Sequence, residues 1–177
     1  SKSTAEWPSK QYDAAHERIF SFLQPYYNDR GQLALGEEHI TVQPNVFAQI
    51  GVLEPDGVRK LLATPYLPGG LKAGDVFCDI GSGVGNICLQ VLVDSPCQHA
   101  TGIEIIPSRA ESSRIAFARA QADSDVHKLV RGKALTVIER DLTECAAILR
   151  ELRVSVVFTH SWMFDDELMA ALTRVLQ

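Results

Sequence analysis

Between a short apolar run and a helix-like apolar run the chain spells Asp79-Ile80-Gly81-Ser82-Gly83-Val84-Gly85. Three glycines in five positions suit a tight turn whose backbone a ligand must approach without a Cβ in the way. Residues 75–80 (DVFCDI) have the pattern of a strand buried on both faces of a parallel sheet. Residues 86–93 (NICLQVLV) continue as a buried helix. Backbone amides at the start of such a helix favour a negative or polar group. The unit is strand, turn, helix.

The same rhythm repeats downstream. Residues 99–105 (HATGIEI) read as a second strand, and 107–122 (PSRAESSRIAFARAQA) as an amphipathic helix with Ile115 and Phe117 turned inward. Residues 135–138 form a third strand, 145–152 a helix, 154–159 (VSVVFT) a fourth strand, and 165–176 a helix capped by Asp165 or Asp166. Strands alternating with helices at this spacing imply βαβ units and a doubly wound parallel α/β sheet. A complete sheet of this kind is expected to hold further strands after the fourth, either absent from this sequence or supplied by another segment or subunit, because a bare strand edge is a poor solution. Upstream, apolar spacing predicts a helix over 12–27 ending near Pro25, loop over 28–38, an irregular extended segment over 40–47, and a helix over 56–62 capped by Asp56 with Val58, Leu61 and Leu62 on one side. The chain thus divides into a small, mostly helical N-terminal part (1–45) and a core (46–177).

Composition closes some routes. At 177 residues with 46% hydrophobic and 22% charged residues, the chain can bury one sizeable core. No apolar run reaches the roughly 20 residues that span a bilayer. Cys78, Cys88, Cys97 and Cys145 form no CxxC pair and have no metal-ligand spacing, so no metal site is expected; Cys78 and Cys88 sit in apolar surroundings, which suits a reducing compartment. A net charge of -5 disfavours a strong nucleic-acid binder and suits a basic partner.

The loop spacing separates the ligands that glycine loops serve. Dinucleotide enzymes use G-x-G-x-x-G, whereas this loop reads G-x-G-x-G with Asp79 directly before it. Both features favour S-adenosylmethionine, which has no pyrophosphate to cradle, over NAD. Glu104, some 20 residues on, ends the second strand where a carboxylate can take the ribose hydroxyls. Asp141 and Leu142, after the third strand, would meet the adenine amino group and ring, although an acid there equally suits a helix cap. Asp79, Gly81, Ser82, Gly83, Gly85, Asn86, Glu104, Ile105, Asp141 and Leu142 make up the expected cofactor set.

Residues 77–90, FCDIGSGVGNICLQ, with Val91 after them, resemble the cofactor loop of the Dot1 histone lysine methyltransferases. Residues 97–104 (CQHATGIE) are similar to that family's second strand, Glu139-Arg140-Asp141-Leu142 to its R-G-D-F turn, and Ser155-Val156-Val157-Phe158 to its fourth strand. Gln49-Ile50-Gly51 and Pro55-Asp56 fall where the family closes a loop over the donor, which adds Gly51 to the cofactor set. The resemblance runs from about residue 46 to 176 and implies a class I, Rossmann-like fold. It also implies transfer of methyl from S-adenosylmethionine (leaving S-adenosylhomocysteine) to a lysine on the folded core of histone H3 in nucleosomes, hence a nuclear protein. DNA contacts would come from segments outside this chain, and no membrane is involved. The family's Asn-Asn-Phe stretch is replaced by His160-Ser161-Trp162, and no acid directly follows Gly51, which marks a divergent branch. Thr159, His160, Trp162 and Phe164 are the expected catalytic-channel residues, the aromatic faces suiting an ammonium. Two other readings stay open on sequence alone: the same chemistry on RNA or a small molecule, and a methyltransferase-like binding module.

Overall fold

The computed structural model describes residues 9–23, 53, 55–63, 67–161 and 164–177. Helix α1 spans Ser9–Leu23 and α2 Pro55–Leu62. The core then runs β1 (Val76–Ile80), α3 (Asn86–Asp94), β2 (His99–Glu104), α4 (Pro107–Ala122), α5 (His127–Val130), β3 (Ala134–Glu139), a 3₁₀ turn (Leu142–Glu144), α6 (Ala146–Glu151), β4 (Val156–Thr159) and α7 (Asp166–Leu176). All four strands are parallel, in the order β3-β2-β1-β4. The expected doubly wound α/β architecture is present.

Side-chain alternation along the strands builds two cores. Phe77 and Ala100 belong to the core formed with α1–α5, whereas Cys78, Ile80 and Ile103 belong to the one formed with the 3₁₀ turn, α6 and α7. Both faces of β1 and β2 are covered, and β1 accordingly reads as a near-continuous apolar run rather than an alternating one. β3 and β4, at the two ends of the sheet, are only partly buried. All four cysteines are buried free thiols. No helix of the described residues is long and apolar enough to cross a membrane.

Several boundaries and roles differ from the sequence reading. α1 begins at Ser9, three residues before the expected start, while the predicted segments at 28–38 and 40–47 lie outside the described residues. Asp56 is inside the first turn of α2, not its cap, and pairs there with Arg59 at 2.9 Å. Asp165 caps α7 by accepting from the Leu168 amide at 2.8 Å. The short α5 was not anticipated: its four residues HKLV are too few to show a period.

α4 extends the expected inward face. Ile115 and Phe117 are half-buried, Phe117 packing against the first core, and the most deeply buried positions are Arg109, Ala110, Ser112, Ser113, Ala116 and Ala120. Small residues let the helix approach the sheet and the glycine turn closely, so depth of burial and size of side chain are decoupled along it.

α6 ends in a Schellman motif. The Val154 amide bonds the Leu149 carbonyl at 3.0 Å and the Arg153 amide bonds the Arg150 carbonyl at 3.1 Å, with Leu149 and Val154 packed in the same core. The left-handed position of that motif, normally glycine, is held by Arg153 at φ 54. Arg153→Gly is therefore expected to stabilise the fold by roughly 1 kcal/mol. A urea titration with a higher midpoint and unchanged slope would bear this out; an unchanged or lower midpoint would contradict it.

Candidate functional site

The sheet reverses direction of winding between β1 and β4: the chain goes from β1 to β2 on one side and returns to β4 on the other. In open α/β sheets a ligand crevice lies outside the carboxyl ends of the strands at such a point. Strand register puts Thr159, Ile80, Ile103 and Ile138 on one rung. Of the next residues along the chain, His160 and Gly81 start the loops that leave β4 and β1, while Glu104 and Glu139 pair as the last residues of β2 and β3.

The glycine turn sits on this edge. The Gly81 and Ser82 amides bond the Ile103 carbonyl at 2.8 and 3.0 Å, fixing the turn over β2. Gly81, Gly83 and Gly85 have φ 80, 56 and 80, the left-handed region that other residues avoid. They do different work. A Cβ added at Gly81 or Gly83 would meet nothing within 4 Å, so both face open space. A Cβ at Gly85 would overlap Ser113 Oγ and come within 2.9 Å of its Cβ, so this glycine exists to admit α4. Gly85 is also the N-cap of α3, with no side-chain cap bond, which leaves the first amides of a nine-residue helix to a ligand. Asn86, half-buried, is the first residue of that helix. The Ser82 and Ser113 hydroxyls are buried beside the turn with no hydrogen-bond partner among the described residues.

Two acids stand on adjacent strands. Asp79 is 2% exposed and Glu104 5%. Burial, and then the Glu104 carboxylate, push the Asp79 carboxyl up from its ordinary 3.8 to about 8. Glu104 is fully engaged with backbone: its Oε2 accepts from the Gly83 amide at 2.7 Å and its Oε1 from the Ile106 amide at 2.9 Å. Ile105 beside it is 36% exposed, one of few large apolar side chains left open among the described residues. Asp141 caps the 3₁₀ turn, accepting through Oδ1 from both the amide and the hydroxyl of Thr143 at 2.8 Å, while Leu142 packs in the core with Ile80 and Ile103. Open glycine backbone, an uncapped helix start, paired acids and an apolar platform at Ile105 fit an adenosyl sulfonium ligand. Among the described residues no cluster could hold a metal.

Of the expected channel residues, Thr159 donates its hydroxyl to the Ile80 carbonyl at 3.0 Å, and His160 is exposed just past β4. Phe164 is half-buried against the second core and its amide bonds the Ser161 carbonyl at 3.0 Å. Trp162 and Gly51 lie outside the described residues.

Sequence reasoning missed the joint between α2 and α3. Gln90, buried in α3, donates to the Pro55 carbonyl at 2.7 Å and to Asp94 at 3.0 Å, and Asp94 also receives Arg59 at 3.4 Å. Pro55 to Arg59 and Gln90 to Asp94 are both steps of four residues, so α2 runs alongside α3 in the same direction and begins beside its middle. A lone glutamine within NICLQVLV was the available signal. For Gly102 and Ser113, the signals were a glycine inside a strand and a string of small residues along α4.

The glycine division of labour predicts a contrast. Gly85→Ala combines left-handed strain with overpacking and should cost about 2–4 kcal/mol, part of it recovered by adding Ser113→Gly. Gly81→Ala should cost only about 1 kcal/mol. Equal urea midpoints for the two single variants would refute the assignment. Asp79 predicts a pH effect. Its carboxyl keeps its proton in the fold up to about 8 but ionises near 3.8 in the unfolded chain, so the proton it binds stabilises the fold at low pH and that contribution is lost as pH rises through this window. Asp79→Asn should flatten the decline; titrations at both ends of the window that show parallel pH slopes would rule it out.

The profile of the family described as "Histone methylation protein DOT1" matches residues 56–177. A fungal protein from Emericella nidulans, "Histone-lysine N-methyltransferase, H3 lysine-79 specific", is 28% identical over 109 residues, which cover 62% of this chain and 22% of that protein. The chain therefore spans about a fifth of the length of this relative. The parallel sheet, with its glycine turn at the β1–β4 reversal, is the Rossmann-like methyltransferase fold, and the chain belongs to the DOT1 family of histone methylation proteins.

Proposed function

We propose that this chain is the donor-binding core of a histone-lysine N-methyltransferase that uses S-adenosylmethionine and acts on a lysine in the folded core of histone H3 within nucleosomes. The observation that carries the reading is the open glycine cradle over the Asp79–Glu104 pair, in a chain whose family is one of histone methylation proteins. The relative's stated specificity for lysine 79 of H3 supports the substrate. An acidic chain, at net charge -5, suits a basic histone, and wrapped DNA would be met by segments other than this one. Such work places the protein in the nucleus.

The bound donor supplies a methyl group on a sulfonium, an electrophile ready for in-line displacement. Gly81, Gly83, Asn86 and the first amides of α3 hold its polar end. Glu104 receives the ribose, Ile105 and Leu142 bound the adenine, and Asp141 takes the amino group. Asp79, whose ionised form a nearby cation would favour, and Glu104 offer acidic surroundings to the cationic centre. The amine arrives past the carboxyl end of β4, where His160 is exposed and positions it. A free lysine with pKa near 10.4 is mostly protonated at neutral pH, and an apolar channel favours the neutral nucleophile by desolvation. Phe164 lines that channel with Thr159 at its border; Trp162 is assigned to the same channel and Gly51 to the donor site from the sequence alone.

Incubation of the intact protein with radiolabelled donor and either nucleosomes or free histones should place label on H3, most strongly in nucleosomes. His160→Ala should lower turnover while leaving adenosylhomocysteine affinity within about twofold, because it acts on the amine side. Adenosylhomocysteine binding without label on any histone would sink the histone assignment and leave another methyl acceptor or a binding role. Binding of NAD instead would overturn the cofactor.

A further inference from the structure

Glu104 does something in this fold that a sugar ligand does not require. Its two carboxyl oxygens are each taken by a backbone N–H, Gly83 at 2.7 Å and Ile106 at 2.9 Å, in a site only 5% exposed. Gly83 is the middle glycine of the cradle, with φ 56 and open space over it. Ile106 is the N-cap residue of α4, which has no side-chain cap of its own. One carboxylate therefore ties the turn that starts α3 to the turn that starts α4.

Both partners of Glu104 are donors, so each of its oxygens must accept. A glutamine at this position would present its NH₂ to one of the two amides and leave a buried donor unpaired. A ribose imposes no such demand, since each hydroxyl both donates and accepts and a glutamine can serve it. The need for glutamate rather than glutamine comes from the backbone. A carboxylate also has about four lone-pair directions, so two remain for hydroxyls after the amides are served.

We propose that Glu104 is a positioning residue that clamps the glycine cradle into its binding geometry before the donor arrives, in addition to receiving the ribose. The clamp deepens the donor-site reading and rests on it for its functional meaning. Charge-assisted bonds of this kind are worth enough that loss of one should weaken ligand affinity about tenfold or more.

The test compares wild type and Glu104→Gln by calorimetry with adenosylhomocysteine and with its 2′,3′-dideoxyribose analogue. The clamp predicts a loss of about tenfold or more for both ligands. A loss seen with the ribose form and absent with the dideoxy form would mean that Glu104 acts through the sugar alone, and would overturn the proposal. A second measurement needs no variant: in ligand-free wild-type protein the Gly83 amide proton should exchange slowly, as a buried bonded amide does, and rapid exchange there overturns the clamp. If wild type binds neither ligand, the donor reading fails while the exchange experiment still decides the clamp.

Discussion

The reversal of strand order between β1 and β4 is the constraint on which the rest of this molecule depends. Loops leaving the carboxyl ends of β1 and β4 must go to opposite faces of the sheet, because α3 covers one face and α7 the other. The crevice between them cannot be closed by the strands themselves, so the chain places there the residues that no packed core would accept. These are two neighbouring acids, three left-handed glycines and an exposed isoleucine. Elsewhere the described interior is dominated by apolar side chains and buried thiols.

How close two backbones can come explains why residue types at this edge are so restricted. The Gly81 and Ser82 amides lie on the Ile103 carbonyl, and a Cβ at Gly102 would come within 2.6 Å of Ser82 Oγ. On the other side, Ser113 occupies the space a Cβ would need at Gly85. The turn is held between β2 below and α4 beside it, with no room for side chains at either contact. Its one free direction is the direction in which Gly81 and Gly83 face. Packing thus selects the ligand side without any contribution from the ligand.

The core of the fold was legible because its signal is periodic and local. Apolar runs bounded by turns located all four strands, and the helix over 107–122 matched to the residue, since Pro107 marks one end and polar residues follow the other. Its inward face was legible only in part for a physical reason: periodicity weighs hydrophobicity and picks out Phe117, which packs against the first core, whereas α4 also turns small residues inward so that it can approach the turn. The acids were legible as strand-end carboxylates, but their partners were not. That Glu104 would spend both oxygens on backbone, that Thr159 would bond Ile80, or that Gln90 would reach Pro55 depends on which loops meet in space, and no local pattern encodes that. The cap at Asp141 was recognised as one of two readings, and its Oδ1 is indeed used as a cap.

The placement of Asp79 beside Glu104 carries the argument from stability to function. A buried acid next to a second acid is an arrangement that folding alone disfavours, and the raised pKa of Asp79 to about 8 expresses that cost. Glu104 is accounted for, since two amides hold it and it organises two helix starts. Asp79 has no comparable structural task in the strand, where an apolar residue would serve burial better. A group kept against its own desolvation, at the reversal point of the sheet and under an open glycine cradle, marks this edge as the functional end of the sheet, and the proposed cationic donor would favour its ionised form. A sulfonium with an adjacent ammonium is such a donor, and a pyrophosphate is its opposite. The same two acids that make this edge the least comfortable part of the fold are the groups on which the proposed preference for a cationic donor rests.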